Sequence, residues 1–516
     1  MNRTTAASRN IFTGVVSKLL AFLLNFASRT IFIWFLGKEY LGVNGLYTEI
    51  LAVLSFAELG FGIALTFALY KPVAENNEGQ IIKLLKFYKT IYRIIAIIVA
   101  ALGLAITPFL QYIVKGADQI TLNELRLYFL IFLSNTVISY FITYKYSYIN
   151  ARQENYITTS YDTIVNIFIV VGQIIALVIF KNYLIYLVTH TGLLILSKIA
   201  FSFWSNKKYP IFKAKPKETL TKEEKKPIYK EVRGLIVHQF SSIAIHSTDN
   251  IIIASVGGLG VSIVGLVSNY NTIIISVLGF VVIVFSSISS GFGNLRATSD
   301  KKHFTKVFNE LNFVNFWLYG FCSIAFICLI PPFITLWLGE DYLIPFLPFL
   351  LIVLNGYLQG QCTIYNTARM ACGDFNLDKW ISLAQAIINL VVSIVLVQVM
   401  GLVGIYIGTI TSRLFFTILR PLVTAKHVFG ESSKKYFVKL TLYFVVTIVT
   451  GILCFAIIKL CMREVTLRAF IASCLIIVVI PNLVFYSIFN KTKEFGAAKE
   501  RITPFIYKII QGRQQK

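Results

Sequence analysis

Acidic residues are scarce in this chain. Asp and Glu number 24 in 516 residues, and charge of either sign makes up only 14%. No Gly-x-x-x-x-Gly-Lys-[Ser/Thr] run occurs, which excludes a P-loop nucleotide motor. The seven cysteines form no Cys-x-x-Cys and no Cys/His ligand spacing, so the sequence offers neither a metal site nor a disulfide framework, and no cofactor is expected. Long polar stretches are also missing, with one exception between Ser205 and Arg233. A chain so poor in charge has little with which to cover a water-exposed surface.

What fills it is apolar. Hydrophobic residues are 56% of the chain, and the mean hydropathy is +0.72. A helix needs roughly 20 mostly apolar residues to cross ~30 Å of hydrocarbon. Fourteen stretches meet that length: 11–36, 46–70, 92–114, 126–149, 158–180, 183–204, 234–256, 262–289, 311–338, 343–368, 380–400, 402–424, 436–460 and 466–489. The expected fold class is therefore an all-α integral membrane protein of about 14 transmembrane helices. The first stretch is too long for a cleaved signal, and no small-residue cleavage site follows it.

The formal net charge of +24 could suggest nucleic acid, but its placement argues against that. Alternating the loops between two sides, with residues near a span end counted to the adjoining loop, puts 39 Lys and Arg on the side holding both termini, seven on the other and two mid-span. Basic residues stay in the cytoplasm, so both termini are expected there, which requires an even number of spans. The excess then serves topology and attraction to anionic membrane lipids.

The polar segment 205–233, with Pro210, Pro216 and Pro227 and mixed Lys and Glu, reads as a wet and irregular cytoplasmic linker. It divides the chain into an N-terminal six-helix lobe (1–204), a second six-helix lobe (234–424), a terminal helix pair (425–490) and a basic cytoplasmic tail (491–516). A duplication supports the division. Offset by 220 residues, SRTIFIWFLGKEYLGVNGL from Ser28 lies over TDNIIIASVGGLGVSIVGL from Thr248, with Gly37/Gly257, Gly45/Gly265 and Leu46/Leu266 coinciding.

A charge at the centre of a spanning helix costs about 2.5–3.5 kcal/mol on insertion scales, so the few present are informative. Arg29, Glu58, Asp249 and Arg413 lie within spans and are expected to face a wet cavity or a partner; Glu49 and Asp162 lie nearer span ends, where they can reach the interface. Under the 220-residue offset Arg29 and Asp249 are equivalent, so the two are expected to project into one central cavity. His238, Gln239, His246, Thr248 and Asn250 fall mostly on one side of the seventh span. Asn269, Tyr270 and Asn271 lie in the eighth, and Tyr140, Tyr144, Tyr146 and Tyr148 in the fourth. Asn and Tyr offer hydrogen bonds and flat faces suited to sugar hydroxyls, which makes Asn250, Asn269, Tyr270 and Tyr144 sugar-contact candidates.

The stretch ASRTIFIWFLGKEYLGVNGLYTEILAVLSFAELGFGIALTFALYKPVAEN, from Ala27, resembles the opening of polysaccharide flippases of the multidrug/oligosaccharidyl-lipid/polysaccharide (MOP) exporter superfamily. The marks are an arginine in the first span, then Leu-Gly-x-Glu-x-x-Gly, then Glu-Leu-Gly-Phe-Gly. HSTDNIIIASVGGLGVSIVGLVSNYNTI, from His246, is similar to the start of their second half. The resemblance implies translocation of an undecaprenyl-pyrophosphate-linked oligosaccharide across the bacterial cytoplasmic (inner) membrane for O-antigen, capsule or exopolysaccharide assembly. It implies Arg29 and Arg413 on the pyrophosphate, helped by Arg93, Lys145 or Arg296 at the cytoplasmic mouth, and a polysaccharide polymerase and assembly machinery as downstream partners.

With no nucleotide site, energy comes from an ion gradient or the membrane potential, with H⁺ or Na⁺ acting at Glu58 or Asp249. Three other functions compete. A drug antiporter suits the intramembrane acids but not the arginine. A membrane-embedded glycosyltransferase or polymerase needs a sizeable outer loop, and here the outer loops are short, with Glu340 and Asp341 as their main acids. A lipid II flippase shares the mechanism and differs in cargo. An enzyme is therefore not expected.

Overall fold

The computed structural model describes residues 3–216, 218–256, 258–298, 301–371, 378–429, 433–461 and 464–500. Seventeen α-helices run in order through these residues: α1 Arg3–Leu54, α2 Phe61–Ala74, α3 Glu78–Ile106, α4 Leu110–Ile113, α5 Leu122–Ala151, α6 Asn155–Phe180, α7 Tyr183–Lys208, α8 Lys222–His246, α9 Thr248–Ser255, α10 Val261–Thr298, α11 Lys301–Leu338, α12 Phe346–Gln361, α13 Thr363–Ala371, α14 Lys379–Met400, α15 Leu402–Thr424, α16 Lys434–Cys461 and α17 Leu467–Phe489. No strand occurs among the described residues.

Twelve helical segments among the described residues are long and apolar enough to cross a membrane, against the fourteen expected. The difference lies in continuity. α1 has 52 residues, which at ~1.5 Å per residue is more than twice the hydrocarbon thickness. It is two helices joined at Gly37, where φ is 77°. The second expected span is made from the end of α1, a 3₁₀ turn (Ser55–Glu58) and the short α2. The seventh is the latter part of α8 followed by α9, interrupted at Ser247. All fourteen expected stretches fall on helices, but these are broken.

The outward-facing chemistry agrees with a bilayer. Trp34 on α1 is 73% exposed, Phe203 on α7 73% and Val399 on α14 84%, while the buried residues include Asn269, Asn315, Asn389 and Ser412 on α10, α11, α14 and α15. Large exposed apolar side chains with polar residues inside suit hydrocarbon as the solvent.

The chain divides into two compact units, Met1–Ser268 with Ser382–Ile405, and Asn269–Ile381 with Tyr406–Lys516. In the first, α1 packs on α6 and α9, α3 on α5, and α7 on α5 and α6. An aromatic group of Phe32, Tyr47, Tyr128, Phe129, Tyr183 and Tyr186 fills its core. The close approach of α1 to the start of α10 depends on two glycines. A Cβ on Gly42 would lie 1.8 Å from the Val261 carbonyl oxygen, and one on Gly265 would lie 2.4 Å from that of Lys38. In the second unit α11 is the central post for α12, α16 and α17. Phe316 stacks on Tyr443 at 4.1 Å, and Trp317 donates Nε1–H to Asn482 at 2.8 Å.

The polar linker is less irregular than its prolines suggest. Thr221 accepts from the Glu224 amide and Glu224 accepts from the Thr221 amide, a capping box that starts α8 at Lys222. Pro227 falls inside that helix, in its second turn, where it removes one intrahelical bond.

Candidate functional site

Within the first unit the intramembrane charges lie on the broken and kinked helices. Arg29 sits on α1 before the Gly37 kink, partly buried, and its guanidinium donates to the Ser268 hydroxyl on α10. Ser268 in turn donates to the Gly265 carbonyl at 2.7 Å. Tyr186 on α7 hydrogen-bonds Ser28 and Gln173 and feels the charge of Arg29. Arg29 is thus placed by three elements and bonded to a neutral oxygen, which a phosphate oxygen can replace with a stronger, charge-assisted bond.

Glu58 occupies the break between α1 and α2, where Leu59 and Gly60 both have positive φ. Tyr92 on α3 donates to Glu58 Oε1 at 3.1 Å. The Tyr92 ring stacks on Tyr140 of α5, centroids 6.2 Å apart, and Tyr140 hydrogen-bonds Ser55 at the other end of the break. An interrupted helix exposes backbone groups, and placing a carboxylate there is the arrangement by which discontinuous spans hold coupling ions. The surroundings of this break reach α8: Phe56 packs edge to face on Phe240 at 5.7 Å.

Asp249 lies in the first turn of α9, half-buried. Its neighbour Asn250 donates to Glu49 Oε1 at 3.3 Å, and Ser247 also bonds Glu49. The interruption at Ser247 separates His238 and Gln239 from Thr248 and Asn250, so these residues do not share one continuous helix face as expected. The His246 side chain lies outside the described residues. Asp162 is exposed and accepts from the Tyr146 hydroxyl at 2.7 Å.

The basic candidates divide. Arg93 is exposed on α3. Lys145 is only 2% exposed. Its ammonium donates to Ser202 Oγ (2.8 Å), the Ser202 carbonyl (3.2 Å), Ser205 Oγ (3.3 Å) and Asn206 Oδ1 (3.0 Å) at the end of α7. Beside it Tyr144 is buried, with the Lys89 ammonium 5.9 Å from its ring. The Arg296 side chain lies outside the described residues.

In the second unit Arg413 on α15 is buried and donates Nε–H to Asn355 Oδ1 on α12 at 2.9 Å. Asn269 and Tyr270 are also enclosed. The Tyr270 hydroxyl accepts the Ile344 amide at 3.1 Å, and its ring lies on Phe349. Sequence reasoning missed the neighbouring charges. Arg369 on α13 and Arg420 on α15 both pair with Asp378, the residue before α14. Arg420 is one heptad after Arg413, on the same helical face, and that spacing was the available signal. A crevice of about 590 Å³ lies between α15 and α16, lined by Leu422, Ser433, Lys434, Phe437, Val438 and Thr441. Among the described residues no group of three His, Cys, Asp or Glu could hold a metal ion.

Neither a protein-family model nor any curated protein matches the chain by sequence. Solved structures do match its fold. The lipid II flippase MurJ, in an inward closed conformation, superposes with a TM-score of 0.66 at 15% identity, over 92% of this chain and 98% of MurJ. A mutant of the Vibrio cholerae MATE transporter VcmN gives 0.59 at 14%, over 84% and 99%. An inward-facing multidrug resistance MATE family transporter of the MOP superfamily gives 0.61 at 13%, over 79% and 94%. The chain is a multi-pass membrane protein with the fold that these proteins share.

Proposed function

We propose that this protein is a flippase that moves an undecaprenyl-pyrophosphate-linked oligosaccharide from the cytoplasmic to the outer face of a bacterial cytoplasmic membrane, supplying polysaccharide polymerase and assembly machinery. The observation that carries this reading is the pair of intramembrane arginines, Arg29 and Arg413, each donating to a neutral side chain. Arginine within a span favours an anionic head group over a cationic drug, and its planar fork suits phosphate. The crevice beside Lys434, apolar with one ammonium at its rim, suits an amphiphile with a hydrocarbon tail and a phosphate.

Transport proceeds by alternating access of the two six-helix halves, with both termini cytoplasmic. H⁺ or Na⁺ at Glu58 or Asp249 biases the two states, and Arg93 gathers the head group at the cytoplasmic mouth. Asn250, half-buried, is the most accessible of the sugar-contact candidates, since Tyr144, Asn269 and Tyr270 are buried. A second reading is lipid II itself, favoured by the match across 98% of MurJ; the two cargoes share the polyprenyl pyrophosphate.

Reconstituted vesicles test the reading. A fluorescent undecaprenyl-pyrophosphate oligosaccharide, lipid II and a cationic dye are offered in turn under an imposed ion gradient. Gradient-dependent translocation of the oligosaccharide is expected. Movement of lipid II alone selects the second reading, and movement of the dye alone overturns both.

A further inference from the structure

Three charged side chains outside the proposed arginine pair meet in the second unit. Arg369 ends α13, Asp378 immediately precedes α14, and Arg420 lies on α15. Arg369 Nη1 and Arg420 Nη2 both donate to Asp378, on its two different oxygens, and Arg420 Nε reaches Oδ2 at 2.6 Å. The side chains are 8%, 2% and 9% exposed, so the cluster has been taken almost wholly out of solvent.

Its charges do not balance. Among the described residues two guanidinium cations face one carboxylate, leaving one positive charge in a low-dielectric site, where an uncompensated ion is strongly unfavourable. Part of the excess is eased. The Arg420 guanidinium lies 3.9 Å over the Phe416 ring, and Arg369 lies in the last turn of its helix, where a cation is favoured. Arg369 Nη2 donates to Asn366 Oδ1 at 2.8 Å. Its Nε, however, is buried and has no acceptor among the described residues. A donor on an ionised group left without an acceptor and shielded from water is rare in a finished structure. If the cluster served only to tie α13, α14 and α15 together, one arginine would balance Asp378 and the second would add cost.

We propose that the Arg369–Asp378–Arg420 cluster is a binding site for a phosphoryl anion, which takes the vacant Nε–H of Arg369 and brings the local charge to zero, with Asp378 as the resident anion that holds the two arginines in place. One negative charge is what the cluster lacks. A phosphodiester supplies that charge, and one phosphoryl group of a pyrophosphate supplies the same chemistry. The ligand is a soluble phosphate compound or the head group of an anionic lipid. The site is separate from the assignment of Arg29 to cargo and does not depend on what the protein transports.

The test uses the full-length protein in an Arg29→Gln background, so that the head-group arginine of α1 contributes nothing. Inorganic pyrophosphate is titrated by calorimetry into protein held in phosphatidylcholine nanodiscs. In a second arm, phosphatidylglycerol is mixed into the nanodiscs and retained lipid is counted by native mass spectrometry. Asp378→Asn removes the like charge beside the ligand and is expected to tighten binding at least about tenfold. Arg369→Gln is expected to abolish it. Arg369→Lys, which keeps the charge and lacks the Nε–H, is expected to weaken binding about tenfold at unchanged melting temperature, and so answers for a glutamine variant that fails to fold. A response in the pyrophosphate arm alone identifies a soluble ligand, and one in the phosphatidylglycerol arm alone identifies a head group; either supports the site. No binding in both arms, or binding indifferent to Asp378 and Arg369, overturns it. Vesicle transport is not read here, so failure of the flippase reading and failure of this site are told apart.

Discussion

The guanidinium of Arg29 donates a hydrogen bond to the hydroxyl of Ser268, a residue 239 positions further along the chain. A hydroxyl is a neutral partner for a permanent cation, and a phosphate oxygen is a better one. Arg29→Ala should therefore lower translocation of a pyrophosphate-linked lipid about 10- to 100-fold, the worth of one hydrogen bond to a charged group. Ser268→Ala should leave it within about threefold, because the position of Arg29 is shared with the Tyr186 network. Initial rates in reconstituted vesicles check both. Equal losses in the two variants would mean that the bond to Ser268, and not the charge of Arg29, is what matters.

Gly42 and Gly265 let two helix backbones touch. A Gly42 Cβ would meet a carbonyl oxygen at 1.8 Å, and backbone cannot move aside as a side chain can. Gly42→Val should destabilise the protein by an amount at the upper end of about 1–3 kcal/mol. A fall in detergent-phase melting temperature, with Gly45→Ala nearly unchanged as control, is the expected outcome. At Gly45 a Cβ would have its closest neighbour at 3.6 Å.

Glu58, bonded to Tyr92 in the break between α1 and α2, is proposed as a coupling group. Glu58→Gln should preserve folding, since the amide still accepts from Tyr92, while transport loses its dependence on the imposed gradient. If the double variant Glu58→Gln/Asp249→Asn stays fully gradient-dependent, coupling lies elsewhere.

Lys145 is surrounded by four neutral oxygens from the end of α7. The geometry is that of a tie between α5 and α7, with the ammonium donating to two serine hydroxyls, one backbone carbonyl and one asparagine side-chain oxygen. Lys145→Met should cost about 1–3 kcal/mol of stability, as expected for losing hydrogen bonds to a charged group. Transport per folded molecule should be unchanged, whereas Arg93→Ala should raise the apparent Michaelis constant for cargo. A transport loss in Lys145→Met without loss of stability would return this lysine to the cytoplasmic mouth.

Beyond the last span, Glu494 accepts from Lys439 at 2.7 Å. Burial opposes its ionisation, yet the lysine's hydrogen bond prevails and holds the carboxyl below its ordinary 4.5. A depressed carboxyl contributes stability above its unfolded value and loses it as the pH falls through the folded one. The contact should therefore weaken below about pH 4.5 and be unaffected above it. Phe495, next in the chain, lies 5.9 Å from the Trp317 ring, so tryptophan fluorescence should report the change. Lys439→Met should shift its midpoint upward.

Much of the fold was legible because a bilayer imposes a simple rule. Each crossing needs a long apolar run, and all fourteen runs lie on helices. The capping boxes at Thr121 and Thr221 are equally local. The breaks at Leu59–Gly60 and Ser247 were not legible, since interruptions inside an apolar stretch leave hydropathy unchanged. The intramembrane charges could be found one at a time, by the cost of burying them, but their partners could not. Arg369 and Asp378 fall between the apolar stretches 343–368 and 380–400, and only folding brought them to Arg420.

The sequence by itself determined that this is a helical membrane protein, roughly where each helix lies, and that a few costly charges sit within them. Those are consequences of composition and of periodicity over one helix length. Tertiary structure alone decided which charge meets which oxygen: Arg29 with Ser268, Lys145 with the end of α7, Asp378 with two arginines. Such pairings join residues on different elements, from nine to 239 positions apart. No local pattern encodes them, because they follow from how whole helices pack.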